Sequence, residues 1–302
     1  YHLRSLGPLA EVSADPLTGP PADLRQLNAS FGDSIRLVGY RLDREDVQRT
    51  DMIRVTLYWH AQRGLKENFD VRLRLLGSKG HVWLQTNGRP PVNGLYPTAA
   101  WRPGELVPDF HQIDLAGQVP PGSYRLQVGL FAPLTEKGIA QSDSAGGYIT
   151  LANVSVSSPT SWRPAINHPM RASFEDQIML LGYDFPSTVA PGLDLPLTLY
   201  WQPLDRVGPD YDIVLRLTTP SNEALWQTVE QPLFGEHPTS DWSTGELLAD
   251  THQVTIPETA SGPLHLRVSL RDPGSGQYLE VVDGWLGGRQ REALLASPAL
   301  SE

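Results

Sequence analysis

The sequence predicts an all-β protein built from two tandem, homologous antiparallel β-sandwich domains of the immunoglobulin-like or jelly-roll-like class. Three observations predict this fold: a long internal repeat, strict period-two alternation of apolar residues, and frequent turn residues. The chain has 302 residues, of which 27 are glycine and 27 are proline. Such a composition favours many turns over long helices, and the length is that of about two ordinary domains.

The internal repeat covers most of the chain. Phe31 and Phe174 are 143 residues apart, and Pro133 and Pro273 are 140 residues apart. Solenoid repeats run only ~20–50 residues, so a period this long indicates a duplicated domain with small loop deletions. Between these ends the two copies share Gly39-Tyr40 with Gly182-Tyr183, Leu57–Trp59 with Leu199–Trp201, Pro97-Thr98 with Pro238-Thr239, and Trp101 with Trp242.

Inside each copy, apolar residues alternate with polar ones, as expected for antiparallel strands with one buried face. Short strands separated by regular turns favour a β-sandwich. We expect Trp59 and Trp201 at equivalent core positions, and Trp83 and Trp226 as a second equivalent pair. In the first copy the pattern predicts about seven strands, at Ile35–Leu42, Ile53–Trp59, Phe69–Leu76, His81–Thr86, Phe110–Leu115, Tyr124–Phe131 and Tyr148–Val156.

The repeat divides the chain into four parts. Residues 1–28 are predicted as an N-terminal arm or linker, 29–156 as the first sandwich, 157–170 as the inter-domain linker and 171–302 as the second sandwich. The arm contains four prolines and six leucines without a sustained period. We expect part of it to lie in extended form against a sheet edge of its own domain or of a neighbouring chain, which would allow self-association through residues 1–28.

Composition and missing motifs exclude several classes of function. The formal net charge of −10 argues against a nucleic-acid surface and against attraction to anionic lipid. No apolar run approaches the ~18 residues needed to span a bilayer, so we expect no direct membrane insertion by this segment. There is no cysteine, and the common hydrolase, zinc-protease, phosphate-loop and dinucleotide motifs are missing. The sequence therefore predicts no catalytic residue, no metal and no cofactor.

Two tryptophans lie outside the strand pattern, in a connection of the form Gly-x-x-Pro-Thr-x-x-Trp-x-x-Gly-Glu. They are Trp101 and Trp242. Aromatic rings on sandwich loops can stack on the C–H face of a sugar. We therefore take Trp101, with Tyr96 and His111 as neighbours, and Trp242 as candidate ligand-binding residues. The alternative is that the tryptophan plugs one end of the sandwich while Pro and Gly shape the loop around it.

A carboxylate and an imidazole recur two residues apart, as Asp109 with His111 and as Asp250 with His252. On a strand both side chains would point to one face, about 7 Å apart along the chain. Such a pair could belong to a metal site or an acid–base site. One histidine with one or two carboxylates gives too few metal ligands, and its occurrence in both copies favours a structural cluster at the start of a strand.

Four motifs together resemble a known family. They are Phe-x-x-x-Ile-x-Leu-x-Gly-Tyr at 31–40 and 174–183, the Leu-Tyr-Trp strand, Tyr-Pro-Thr-x-x-Trp-x-Pro-Gly-Glu at 96–105, and Pro-Pro-Gly-x-Tyr-x-Leu-x-Val-Gly-Leu at 120–130. The chain resembles the soluble β-sandwich modules that follow the membrane region of bacterial lipid-carrier-dependent glycosyltransferases of the protein-mannosyltransferase type. The resemblance covers roughly residues 29–290. The second copy departs from the pattern, with His237 at the tyrosine, Ser243-Thr244 for Arg-Pro and Ser261–Pro263 for the Pro-Pro-Gly turn.

The resemblance implies an accessory role, because in that family the glycosyl transfer belongs to the membrane part. We therefore expect a non-catalytic extracytoplasmic module of a cell-envelope glycosyltransferase or surface protein, tethered by an upstream segment and binding a glycan or envelope polysaccharide. One alternative is a structural subunit of a cell-surface assembly that uses its N-terminal arm for strand addition. Another is a glycoside hydrolase or other hydrolase that uses loop carboxylates.

Overall fold

A computed structural model describes residues 21–135, 137–139, 147–159, 161–283 and 289–300. Within these ranges the chain forms strands, turns and short 3-10 segments, and no α-helix. The strands assemble into two tandem β-sandwiches, which confirms the predicted fold class. The 3-10 segments are Val92–Gly94, Thr98–Ala100, Pro232–Gly235 and Thr239–Asp241.

The first domain packs a four-stranded sheet against a six-stranded sheet. The smaller sheet has the order β1-β2-β4-β7, and the larger has the order β3-β10-β8-β5-β6 with β9 paired to β8. The strands are β1 Arg25–Phe31, β2 Ile35–Leu42, β3 Asp46–Gln48, β4 Met52–Ala61, β5 Asp70–Leu76, β6 Val82–Gln85, β7 Leu106–Asp114, β8 Gly122–Phe131, β9 Gly138–Ile139 and β10 Tyr148–Ser157.

The second domain repeats this arrangement. One sheet has the order β17-β14-β12-β11-β19-β20, the facing sheet has the order β16-β15-β18-β21, and β13 pairs with β22. The strands are β11 His168–Phe174, β12 Ile178–Asp184, β13 Thr188–Val189, β14 Asp194–Pro203, β15 Asp212–Thr218, β16 Ala224–Glu230, β17 Leu248–Thr255, β18 His265–Arg271, β19 Val281–Asp283, β20 Arg289–Gln290, β21 Ala293–Ala296 and β22 Ala299–Leu300.

One parallel pair in each domain departs from the antiparallel prediction. β10 runs parallel to β3, and β22 runs parallel to β13. The last strand of each domain, β10 or β22, thus pairs with the short strand that follows the domain's second strand, which is β3 or β13. The alternation of apolar residues could not show this, because it reports which face of a strand is buried and not which neighbour the strand pairs with.

The repeated Gly-Tyr dipeptide marks a bulge that both domains share. The register of β2 shifts between Leu37 and Gly39, and that of β12 shifts between Leu180 and Gly182. A Cβ at Gly39 would lie 2.4 Å from the carbonyl oxygen of Arg25 on the neighbouring strand. Only glycine allows the two backbones to approach this closely.

Each domain has its own apolar core around one tryptophan. Trp59 and Trp201 are both fully buried. Trp59 pairs with Leu37 across β2 and β4, and Trp201 pairs with Leu180 across β12 and β14. The predicted equivalence of these two tryptophans is confirmed.

The second tryptophan pair is out of register. Leu75 pairs with Leu84 in the first domain, whereas Trp226 pairs with Leu217 in the second. Trp226 thus occupies the position of Leu84, and Trp83 lies one residue away from it. Both indoles are only partly buried, so the predicted core pair is wrong in register and in depth.

The domain boundaries lie slightly earlier than the repeat suggests. β1 begins at Arg25, inside the predicted arm, and β11 begins at His168, inside the predicted linker. Residues 1–20 of the arm lie outside the described residues, so its docking and self-association stay predictions.

Candidate functional site

The two loop tryptophans close one end of each sandwich. Trp101 and Trp242 are each 3% exposed. The Nε1–H of Trp101 donates to the carbonyl oxygen of Tyr96 at 3.1 Å, and that of Trp242 donates to the carbonyl oxygen of His237 at 3.0 Å. Neither indole leaves a face free to stack on a sugar. This burial contradicts the predicted ligand-binding role of both tryptophans and agrees with the alternative of a plug.

A buried threonine explains why the Pro-Thr pair recurs next to this tryptophan. The hydroxyl of Thr98 accepts a hydrogen bond from the amide of Phe69 at 3.0 Å and donates one to the carbonyl oxygen of Glu67, also at 3.0 Å. Thr239 does the same in the second domain, accepting from the amide of Tyr211 at 2.9 Å. The threonine fastens the loop to the chain just before β5 in the first domain and just before β15 in the second, which seats the tryptophan.

Tyr96, another predicted ligand residue, has its hydroxyl engaged within the loop. It donates to Glu105 Oε2 at 2.8 Å, and the same carboxylate accepts from the amide of Arg102 at 2.8 Å. Desolvation and this hydrogen bond raise the pKa of Tyr96. The structure therefore brings Tyr96 next to Trp101 as predicted, but as part of the loop's internal bonding.

His111, the remaining predicted neighbour, is 3% exposed in a buried polar cluster. Its Nε2 lies 2.6 Å from Asp109 Oδ2, and its Nδ1 lies 3.1 Å from Arg89 Nη2. A guanidinium can only donate, so Nδ1 is the acceptor and the ring proton lies on Nε2, where it is donated to Asp109. Asp109 also accepts from the Nε1–H of Trp59 at 3.3 Å and from the amide of Val92 at 2.7 Å.

The equivalent histidine of the second domain lies between two carboxylates. His252 Nδ1 is 2.7 Å from Glu230 Oε2, and its Nε2 is 3.0 Å from Asp250 Oδ2, close enough for an ion pair but not aligned as a hydrogen bond. Burial alone would lower the pKa of His252, but the charges of Asp250 and Glu230 and the hydrogen bond to Glu230 outweigh it and raise that pKa to about 10. The hydrogen bond from His252 lowers the pKa of Glu230.

The aspartate of each cluster holds a strained loop. Val92 and Leu233 have φ angles of 53° and 50°, a left-handed conformation that costs about 1–3 kcal/mol for such residues. The amide of Val92 donates to Asp109 Oδ1, and that of Leu233 donates to Asp250 Oδ1 at 3.0 Å. This arrangement supports the structural interpretation of both Asp/His pairs. No group of three or more His, Cys, Asp or Glu side chains in the described ranges could hold a metal ion.

The two domains meet through a carboxylate that the sequence analysis missed. Glu236 accepts hydrogen bonds from the hydroxyl of Ser78 at 2.7 Å and from the amides of Lys79 at 2.6 Å and His81 at 3.3 Å. Desolvation opposes ionisation, but these bonds prevail and lower the pKa of Glu236. A Cβ at Gly77 would lie 2.4 Å from the Glu236 carboxylate, so glycine is what allows the carboxylate to dock.

A buried arginine ties the first domain to the linker and to the second domain. Arg49 is fully buried, and its Nε donates to the carbonyl oxygen of Gly117 at 3.1 Å. Its Nη1 lies 3.4 Å from Ser158 Oγ and 3.3 Å from the carbonyl oxygen of Leu247. The guanidinium carbon stacks 3.6 Å from the ring centroid of Trp162. Desolvation lowers the pKa of Arg49 to about 10, which leaves it charged at neutral pH.

These contacts frame a cleft of about 600 Å³ at the domain junction. The ring of His81 stacks on Phe234 with centroids 3.6 Å apart. Aromatic side chains come from both domains and from the linker, and the polar lining includes hydroxyl, amide and guanidinium groups. These residues are His81, Trp83, Trp162, Tyr200 and Phe234, with Gln118, Arg163, Thr198 and Thr251 among the polar ones.

One sequence signal could have found this cleft. Trp162 stands in the polar, proline-bearing linker and has no counterpart in the repeat, where Gly19 occupies the corresponding position. A tryptophan that neither fills a strand position nor recurs in the other copy calls for a role outside the individual sandwich.

Comparison with protein-family models gives no match, and comparison with curated proteins gives none either. Solved structures that resemble the chain include β-glucuronidase 2 of Bacteroides uniformis, at 10% identity and a TM-score of 0.25 over 76% of this chain and 26% of that one. A DUF4785 family protein from Legionella pneumophila has 14% identity and a TM-score of 0.23 over 86% of this chain and 58% of that one. The D0–D1 domain of intimin has 12% identity and a TM-score of 0.20 over 86% of this chain and 99% of that one.

The chain thus spans 26% of the glucuronidase chain and 58% of the Legionella protein. At these scores the likenesses carry no argument about function. Across the described residues, no helix is both long and apolar enough to cross a membrane.

Proposed function

We propose that the chain is a non-catalytic, extracytoplasmic accessory module that binds a saccharide of the cell envelope in the cleft between its two domains. The observation that carries this proposal is the aromatic lining of the cleft, to which both domains and the linker contribute. The accessory role follows the resemblance to the modules of lipid-carrier-dependent glycosyltransferases.

The chemistry of the cleft suits a neutral saccharide. Aromatic rings present π faces to the C–H surfaces of sugars, and the partly exposed Trp162 and the exposed Phe234 line the space. Thr198 and Thr251 also line the space, and their hydroxyl groups can exchange hydrogen bonds with sugar hydroxyls. The volume of about 600 Å³ falls within the ~300–1,000 Å³ of ordinary small-molecule sites.

The walls of the cleft are held in place without a ligand. Arg49 clamps Trp162, and the docked carboxylate of Glu236 fixes the hairpin that carries His81. A site whose walls are already ordered loses less conformational entropy on binding. The junction therefore supports recognition by a preformed surface.

The absence of catalysis is supported by the carboxylates that recur in both copies. Asp109 and Asp250 hold strained loops, and Glu105 and Glu246 accept from backbone amides of their own loops. These carboxylates are committed to the fold. The alternative of a structural subunit acting through its arm stays a prediction, since residues 1–20 of the arm lie outside the described ranges.

Titration of neutral envelope oligosaccharides, followed by tryptophan fluorescence and by NMR of indole N–H groups, tests the proposal. We expect the resonance of Trp162 to shift, and Trp162→Ala to weaken binding at least tenfold. Thr251→Arg, which places a large side chain in the cleft from an exposed position, should have the same effect. Phe110→Ala is the matched control, since Phe110 is an exposed aromatic at the position of Thr251 in the first domain. Equal saccharide binding by all three variants would refute the proposal that the cleft is the binding site.

A further inference from the structure

The outer face of a sheet in the second domain places two arginines directly opposite each other. Arg216 on β15 pairs with Arg267 on β18, and on its other side Arg216 pairs with Gln227 on β16. Like charges facing each other across a strand pair destabilise a sheet. The arrangement therefore calls for a counter-charge.

The protein supplies only part of that counter-charge. Glu292 Oε1 lies 2.5 Å from Arg216 Nη1. The surrounding pocket, of about 390 Å³, is lined by Arg216, Arg267 and a third arginine, Arg291, together with Tyr278 and Gln227. Among the described residues, three arginines and one carboxylate line this pocket, in a chain whose formal net charge is −10.

Arg267 also has a donor that the fold leaves unused. Its Nε is shielded from solvent and has no acceptor among the described residues. A buried donor without a partner destabilises a fold and is uncommon in native structures. This nitrogen belongs to a residue that lines the pocket.

The first domain shows the same position in a self-sufficient form. Arg74 and Gln127 pair there as Arg216 and Arg267 do in the second domain. Arg74 Nε donates to Gln127 Oε1 at 2.9 Å, and Gln127 Nε2 donates to Thr150 Oγ1 at 3.0 Å. Replacement of this glutamine by arginine in the second copy removes the acceptor and adds a positive charge.

We infer that this pocket of the second domain is a binding site for an oxyanion, a carboxylate or phosphate group carried by a saccharide or another small ligand. Guanidinium groups match such groups with paired N–H donors in a fixed fork, which makes arginine the usual residue for this recognition. Tyr278 and Gln227 offer hydrogen-bonding groups beside the anion. The site shares no lining residue with the junction cleft and is independent of the proposed function.

Thermal unfolding and NMR of the full chain, with inorganic phosphate, D-glucuronate or neutral glucose added at constant ionic strength, test the inference. We expect an oxyanion to raise the melting temperature of the second domain by mass action and to shift the amide resonances of Arg216 and Gln227, while glucose does neither. Phosphate and glucuronate in separate arms show which class of oxyanion binds. No shift with either at millimolar concentration overturns the inference.

Arg267→Gln, which restores the residue of the first domain, should weaken oxyanion binding at least tenfold. The same variant without ligand should unfold at a higher temperature, because a glutamine can accept from Arg216 as Gln127 does from Arg74. Arg125→Gln removes one positive charge from the equivalent strand of the first domain and should leave binding unchanged. Arg291→Gln, at an exposed position, tests the site without altering a strand. Binding that survives both Arg267→Gln and Arg291→Gln overturns the inference.

Discussion

The two domains bury the same histidine in the same strand but surround it with opposite charges. In the first domain Arg89 donates to His111, whereas in the second Glu230 accepts from His252. The apolar core, the glycine bulges and the loop tryptophan are common to both. The comparison teaches that packing and turn chemistry maintain this duplicated fold, while polar partners around the same scaffold diverge.

The residues that form the junction show the same divergence between the two copies. Glu236, which docks on the hairpin of the first domain, corresponds to Leu95, which is 82% exposed. On the receiving side, Gly77 corresponds to Thr219 of the second domain. Each copy has thus been adapted to its place in the tandem, one to present the carboxylate and the other to receive it.

Emptying the core tryptophan site is the largest change we expect. Trp59→Ala should lower the free energy of unfolding of the first domain by ~3–5 kcal/mol, because a large buried aromatic site is left open. Trp59→Phe should cost more than Trp201→Phe, since Trp59 donates to Asp109 while Trp201 Nε1 has no acceptor among the described residues. Denaturant unfolding measures the loss of free energy of unfolding in each variant. Equal losses for the two Phe variants would contradict this prediction.

The charged histidine should make the second domain pH-dependent. Its pKa in the folded protein is raised to about 10, above the ordinary value of about 6.5. The stabilisation is therefore complete below about pH 6.5 and is lost as the pH rises towards 10, by at most ~1.4 kcal/mol per pH unit.

Thermal unfolding between pH 6 and pH 10 measures this loss. Glu230→Gln removes one of the two carboxylates that face His252 and leaves Asp250, so the folded pKa of His252 should fall and the total loss of stability between pH 6 and pH 10 should be smaller. An unchanged total loss in that variant would show that the dependence arises elsewhere.

Adding a methyl group at the junction should uncouple the domains. Gly77→Ala places a Cβ against the Glu236 carboxylate and should destabilise the junction by ~1–3 kcal/mol, the cost of breaking hydrogen bonds to a charged group. Thr219→Ala, at the equivalent position of the second domain, is the matched control. Calorimetry should show two separated transitions for Gly77→Ala only, and a single unchanged transition would contradict the role of Glu236.

The smallest effect is expected at Leu95, the residue of the first domain that corresponds to Glu236. Leu95→Glu gives the first domain the residue of the second at a position that is 82% exposed. Because no hairpin amides face it among the described residues, the free energy of unfolding should change by no more than ~0.5 kcal/mol. A larger change in the free energy of unfolding, measured with denaturant, would mean that a glutamate here acts on its own loop and does not need a docked hairpin to affect stability.

Sequence reasoning predicted the parts of this protein that depend on neighbouring residues. The alternation along β4 and β14 placed Trp59 and Trp201 correctly, because successive side chains of a strand point to opposite faces. It misplaced Trp83 relative to Trp226 because it matched two tryptophans by residue type, whereas the strand pairing makes Leu84, and not Trp83, the counterpart of Trp226. It also offered two interpretations of Trp101, since burial of a loop residue depends on what packs over it.

The sequence by itself determined that the chain is all-β, duplicated and without a familiar catalytic motif. Only the tertiary structure decided which side chains meet. Glu236 and Ser78 are separated by 158 residues, and Arg49 and Leu247 by 198. Periodicity records local burial and carries no information about such pairs. The junction cleft arises from these long-range contacts, and the arginine pocket arises from the pairing of β15 with β18. Both lie at positions where the two copies differ.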